Sequence, residues 1–246
     1  MVIRIEPQWR DPMICLAAFG KHYAPNNDGY VFVGVPLETK SGKEKVFREE
    51  CGQGVMLDSY TDAITITEKV FSKTRTTRRS CSGTRIGPQA NAIGYAFNPK
   101  NMSLPDLTNG KMYVNPVNLA RNVIDPYGFI YSGLPNCPHY GVDLKMPIGT
   151  SIKAVNKGIV ALVARNFSAE GNMIIVNHGL CIFSVYMHLS RINIRDGEVV
   201  ERGQVIALSG RTGAGVREAH LHFNMKSCDA YVDPFMFFET VNKYLQ

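Results

Sequence analysis

The stretch HLHF at residues 220–223 constrains the fold more than any other part of the sequence. In a strand, successive side chains point to opposite faces, so His220 and His222 share one face while Leu221 and Phe223 take the other. Four residues thus separate a metal-capable polar face from an apolar one. Such a segment asks for a sheet with a core on one side and something to bind on the other. The neighbouring sequence agrees. TSIKAVNKGIVALVAR, NMIIVNHG, LCIFSVYMHLSRI and VIALSG are dense in β-branched and aromatic residues, with the turn signals AEGN and RDGE between them.

Nearer the start, GYVFVGVPLE, KEKVFREE and DAITITEKVF read as further strands bounded by Gly, Asn, Asp and Ser. The expected fold is mostly β and antiparallel. It comprises a small β-sandwich-like domain over residues 1–72, a linker or ordered loop segment over 73–110, and a strand-dense domain over 111–246. Residues 73–110 show no sustained period, and long loops inside compact proteins are often functional. The end, DPFMFFETVNKYLQ, reads as a short helix capped by Asp233, with Pro234 at its first position.

Composition excludes several classes. Apolar and charged fractions of 45% and 20% over 246 residues are those of a globular chain. No apolar run of 18 residues occurs, which argues against a membrane-spanning helix. MICLAAF lacks the basic flank of a secretory leader, so either the chain is cytoplasmic or a leader has been removed. The net charge of +6 is spread over both halves. The denser run KTRTTRR (residues 73–79) could hold an anionic polymer, but such runs are more often solvated strand ends or linkers. No aromatics interleave it at the spacing of a nucleic-acid reader, so no nucleic acid is expected as partner. Six cysteines without a CxxC pair argue against a structural zinc finger. Their even number suits disulfides in an oxidising compartment, although spacing does not reveal pairing. Most read as small buried hydrophobes, and Cys137, two before His139, is a weak nucleophile candidate.

Five of the six histidines (His139, His178, His188, His220, His222) fall in the last 110 residues. In HYGVDL, Gly141 argues against a helix, and the even spacing on extended chain sends His139 and Asp143 to one side. His139, Asp143 and one histidine of HLH would supply three nitrogen and oxygen ligands. Zinc with three protein ligands keeps a fourth position for water and activates it. Remaining histidines are then available for proton transfer. His22 and His178 read as hydrogen-bonded structural residues of a β-core. Neither HExxH nor GxSxG occurs, and GRTGAGVR lacks the Lys and Ser/Thr of a phosphate loop.

Taken in order, HYGVDLKMPIGTSIKAVNKGIV, GNMIIVNHG, YMHLSRI, GEVVERGQVIALSGRTG, AHLHF and VDP resemble the lysostaphin-type zinc metallopeptidases that cleave peptidoglycan peptides. The resemblance spans about residues 111–240. It implies that His139, Asp143 and His222 hold Zn²⁺ and that His188 and His220 assist catalysis. It also implies peptidoglycan peptides as partners and a periplasmic or extracellular location with the leader absent. Glu218 and Ala219 replace the usual Gly and Pro before HLHF, and Asn224 replaces the usual Glu after it, which bears on the groove wall and substrate preference. FVGVPLETKSGKEKV and ITITEKVF are similar to the β-domain that precedes the peptidase in some Gram-negative members. That likeness favours the D-alanine–diaminopimelate cross-link over a pentaglycine bridge, and blocking segments in relatives raise the expectation that residues 1–110 are inhibitory. The rival expectation is a non-catalytic relative that binds the wall or activates other hydrolases.

Overall fold

The computed structural model describes residues 2–4, 14–37, 39–40, 42–50, 56–66, 73–77, 87–117, 122–132 and 138–245. Its centre is an antiparallel sheet. Strand order runs Val199–Val200, Gly158–Phe167, Gly171–Asn177, Ile182–Met187, His220–Ser227, Val142–Lys145, Val123–Asp125, with Ala230–Val232 also pairing the His220–Ser227 strand. The alternation of HLHF is realised in this central strand, where Leu221, Phe223 and Met225 are fully buried.

Those three belong to the main core, on one face of the sheet. It is completed by the three-stranded sheet of Ser151–Lys153, Val205–Leu208 and Arg191–Ile192 and by the helix Pro234–Val241. Ile152, Ile206 and Ala207 enter from the small sheet, and Phe237, Phe238 and Val241 from the helix. That helix starts as the sequence predicts: the Asp233 carboxylate accepts from the N–H groups of Phe235 and Met236, and Pro234 opens the first turn.

The opposite face carries His220, His222 and Asn224. Register places Met187 beside His222, Val185 beside Asn224 and Phe183 beside Lys226, so these apolar residues share the histidine face. A second core forms there: Ile93 and Ala96 pack with Ala164, Met173, Ile175, Phe183 and Val185. Ile93 and Ala96 come from a helix, Gly87–Ala96, followed by a short helical turn Pro99–Met102. This differs from the linker or loop that residues 73–110 suggest. The helix offers only two buried positions, and its Tyr95 faces solvent, so the apolar period is too thin to read. Packing on the sheet, more than propensity, decides it.

Toward the N-terminus, Lys21–Tyr23, Ile14–Ala18, Gly42–Glu50 and Met56–Ile66 form a four-stranded antiparallel sheet, and Val2–Arg4 pairs with Tyr30–Phe32. Leu16, Ala18, Tyr23, Val31, Val33 and Val46 pack against Cys181 and Cys228. Those two cysteines are joined in a disulfide. Cys15 is also disulfide-bonded, while Cys137 lies outside the described residues. Phe32 accepts a hydrogen bond from Ser227 through its carbonyl, and Lys21 pairs with Asp229, so the first region is docked on the second. The basic run begins as a strand, Lys73–Thr77, parallel to Ile130–Ser132; its Arg78 and Arg79 lie outside the described residues.

Candidate metal centre

His139 lies just before the strand Val142–Lys145, held by backbone bonds to Phe129 and Gly128. Asp143 points from that strand, directly opposite His222 on the central strand. The three side chains meet: His139 Nε2 is 3.2 Å from Asp143 Oδ1 and 3.0 Å from His222 Nδ1, and His222 Nδ1 is 2.7 Å from the same carboxylate oxygen. Among the described residues this trio is the one group of metal-capable side chains that converges in this way. Ligands around a tetrahedral zinc stand about 3.4 Å apart. The donors therefore stand about 0.2–0.7 Å closer together than in that arrangement, and two imidazole nitrogens with one carboxylate oxygen are donors that zinc accepts. The residues fit the ion.

Gly141 makes the approach feasible. A Cβ there would stand 2.7 Å from the Phe223 carbonyl oxygen and 2.9 Å from His222 Nε2. Outer contacts orient these side chains. His139 Nδ1 donates to the Pro126 carbonyl at 3.1 Å, which leaves Nε2 as the donor atom to a metal. Asn224 Nδ2 donates to the Tyr140 carbonyl and ties the His139–Asp143 segment to the central strand.

The electrostatics are those of a crowded, buried set. Burial would raise the Asp143 carboxyl, but the charge of His222 and hydrogen bonds from both imidazoles hold it well below the usual carboxylate range. For His139, burial is outweighed by the hydrogen bond and charge of Asp143, and the imidazole is raised. In His222 burial prevails and the imidazole is lowered.

Two further imidazoles flank the trio. His220 Nε2 lies 3.7 Å from Asp143 Oδ2, while its Nδ1 donates to the Glu218 carbonyl at 2.9 Å. His188 follows the strand Ile182–Met187 with a left-handed φ of 64° and stacks edge-on against His220, with ring centroids 4.8 Å apart. Its Nδ1 donates to the Thr212 carbonyl at 2.9 Å. Burial, then the charges of His222 and His220, push His188 down to about 3, so this ring is neutral at ordinary pH.

All five site residues expected from sequence are thus brought together. The other two histidines divide. His178 is the structural residue it reads as: it is buried, donates from Nδ1 to the Lys157 carbonyl at 2.8 Å and shares a 2.8 Å hydrogen bond with Ser184 Oγ. His22 is exposed, on the short strand Lys21–Tyr23, because that strand's alternation turns Tyr23 inward and His22 outward. The carbonyl groups of Pro126, Thr212 and Glu218, which accept from His139, His188 and His220, are supporting positions the sequence does not show; only TG in the glycine-rich loop marks one of them.

Residues 137–234 match the model of Peptidase family M23. Peptidoglycan DD-endopeptidase ShyA of Vibrio cholerae is 42% identical over 88 residues, 36% of this chain and 20% of the relative. Lysostaphin of Staphylococcus simulans is 38% identical over 120 residues, 46% of this chain and 24% of the relative. The chain therefore spans only a fifth to a quarter of the length of these curated relatives. A crystal structure from Pseudomonas aeruginosa assigned to peptidase M23 aligns with a TM-score of 0.72 at 26% identity, over 96% of this chain and 92% of that one.

Proposed function

We propose that the chain, whose residues 137–234 match the model of Peptidase family M23, is a member of that family and a zinc endopeptidase hydrolysing peptide cross-links of bacterial peptidoglycan. The observation that carries this is the convergence of His139, Asp143 and His222, with two more imidazoles whose Nδ1 atoms are engaged. The peptidase domain is assigned to residues 111–246, preceded by a β-domain over 1–72. The non-catalytic alternative is disfavoured because the ligand trio and both helper imidazoles are present.

His139 Nε2, Asp143 Oδ1 and His222 Nδ1 would hold zinc, which supplies a Lewis acid and an acidified water. His188 and His220 do the proton work. Each donates Nδ1–H to a backbone carbonyl, so each keeps Nε2 as a lone-pair acceptor. Nε2 can take a proton from the attacking water and return it to the departing amine. Lys145 and Glu218 form a half-exposed ion pair beside the start of the central strand.

The favoured bond is the D-alanine–diaminopimelate cross-link, in keeping with the DD-endopeptidase name of the ShyA relative. A periplasmic or extracellular location accords with the Cys181–Cys228 disulfide, since such bonds persist in oxidising compartments. Within the expected inhibitory segment 1–110, the helix Gly87–Ala96 packs on the histidine face of the sheet, which favours a supporting role for that helix.

The test is a digest of purified sacculi read by mass spectrometry, with zinc measured by elemental analysis. Cross-linked dimers should become monomers and chelation should stop the reaction. His139→Ala, Asp143→Ala and His222→Ala should arrive without zinc. His188→Ala and His220→Ala should keep zinc and lose roughly 10²–10⁴-fold in turnover. Full zinc occupancy in the first three, or new reducing sugar ends with intact dimers, would overturn the proposal.

A further inference from the structure

We propose that Gln89, on the helix Gly87–Ala96, is a positioning residue for His188, acting through Ser168 and the loop around Thr212. The inference rests on the reading of His188 as a proton-transfer group, and deepens it.

His188 sits in a cage of backbone and side-chain bonds from two loops. Its N–H donates to the Glu170 carbonyl at 3.0 Å, and its Nδ1 donates to the Thr212 carbonyl at 2.9 Å. Thr212 is itself clamped: Oγ1 accepts from the Asn172 N–H at 2.9 Å and donates to the Leu189 carbonyl at 2.9 Å. The two loops interlock without room to spare. At Gly171, where φ is +67°, a Cβ would stand 2.3 Å from Thr212 Oγ1. Ala214 N–H donates to the Ser168 carbonyl at 2.7 Å, which joins the glycine-rich loop to the turn between the strands Gly158–Phe167 and Gly171–Asn177.

One end of this assembly is tied down from outside. Ser168 donates to Gln89 Oε1 twice, from its N–H at 3.1 Å and from its hydroxyl at 2.9 Å. Gln89 is carried by a helix whose Ile93 and Ala96 are buried against the sheet, so the anchor is rigid. The path from Gln89 to the imidazole is therefore Ser168, Ala214 and Thr212, then His188 Nδ1. Gln89 touches neither substrate nor metal in this scheme; it sets where Nε2 of His188 stands. Small displacements of a proton-transfer group are costly.

The experiment uses the zinc-loaded full chain. In ¹⁵N-histidine-labelled protein, the Nδ1–H of His188 should give a slowly exchanging proton resonance, identified by its loss in His188→Gln. Gln89→Leu removes the acceptor at similar volume; Gln89→Ala serves if the leucine variant does not fold. Either should broaden or lose that resonance and lower kcat by about tenfold, with KM and zinc content unchanged. Gln89→Glu retains an acceptor for both Ser168 donors and should restore resonance and turnover. An unchanged His188 resonance in Gln89→Leu overturns the proposal, as does failure of Gln89→Glu to restore it. Absence of muropeptide cleavage by the unaltered protein would instead sink the functional reading, while the resonance still decides the positioning role.

Discussion

Gly141→Ala adds one methyl group and isolates a single contact. Gly141 does not occupy the left-handed region, so alanine brings no backbone strain. What it brings is a Cβ 2.7 Å from the Phe223 carbonyl oxygen, 2.9 Å from His222 Nε2 and 3.1 Å from Asn224 Cγ. The first of these is backbone in the middle of the sheet and does not swing aside. Relief requires the chain at 140–142 to back away from the central strand by roughly half an ångström or more. That movement strains the Asn224–Tyr140 hydrogen bond and separates Asp143 from His222, whose oxygen and nitrogen are 2.7 Å apart. Overpacking of this kind costs about 1–3 kcal/mol. At about 2–4 °C per kcal/mol for a chain of this size, Tm should fall by about 2–12 °C. Displacement of two proposed ligands should also lower zinc affinity, and turnover by about ten- to a hundredfold. Calorimetry, elemental analysis after dialysis and a muropeptide assay read the three effects. Unchanged Tm, zinc content and turnover together would show that the site has slack the distances deny.

The same substitution at Gly94 should act with the opposite sign. It lies inside the helix Gly87–Ala96 with open space around its would-be Cβ, so Gly94→Ala should stabilise by about 0.5–1 kcal/mol, seen as a raised Tm. His178 makes stability pH-dependent. Burial lowers it to about 4 in the folded protein, so its contribution is complete above about pH 6.5 and is lost as pH falls toward 4. About 3 kcal/mol should vanish over that window, and denaturation of His178→Gln should show a correspondingly flatter profile; parallel profiles would refute the assignment. A chain beginning at residue 111 uncovers Met173, Ile175, Phe183 and Val185, and should show lower solubility, Tm and turnover. A folded truncation with raised turnover would argue for an inhibitory N-terminal segment instead.

What was readable in the sequence is what side-chain periodicity encodes. HLHF needed only the two-residue repeat of a strand, and His139 with Asp143 only an extended segment. The helix Gly87–Ala96 escaped because two buried residues make no period, and its stability comes from a sheet assembled far along the chain. His22 was misplaced because a lone histidine carries no sign of which way its strand faces; Tyr23 beside it takes the inward position. The supports of the imidazoles were invisible for a different reason. Pro126, Thr212 and Glu218 act through carbonyl oxygens, which every residue possesses.

The Cys181–Cys228 disulfide joins the start of one strand to the end of its antiparallel partner, at the opposite end from the histidines. A sheet can slide, and a slip of one residue would turn His222 into the apolar layer and Leu221 out to the histidine face. The covalent link acts as the stop at the base of a ruler: with Ile182 set against Ser227, counting along the two strands brings Met187 to His222 and no other residue. Correct alignment of the proposed catalytic groups is thereby tied to the redox state of the surroundings. A chain still in a reducing compartment has the same strands without their stop, so the proposed site is calibrated only once the sulfurs have been oxidised.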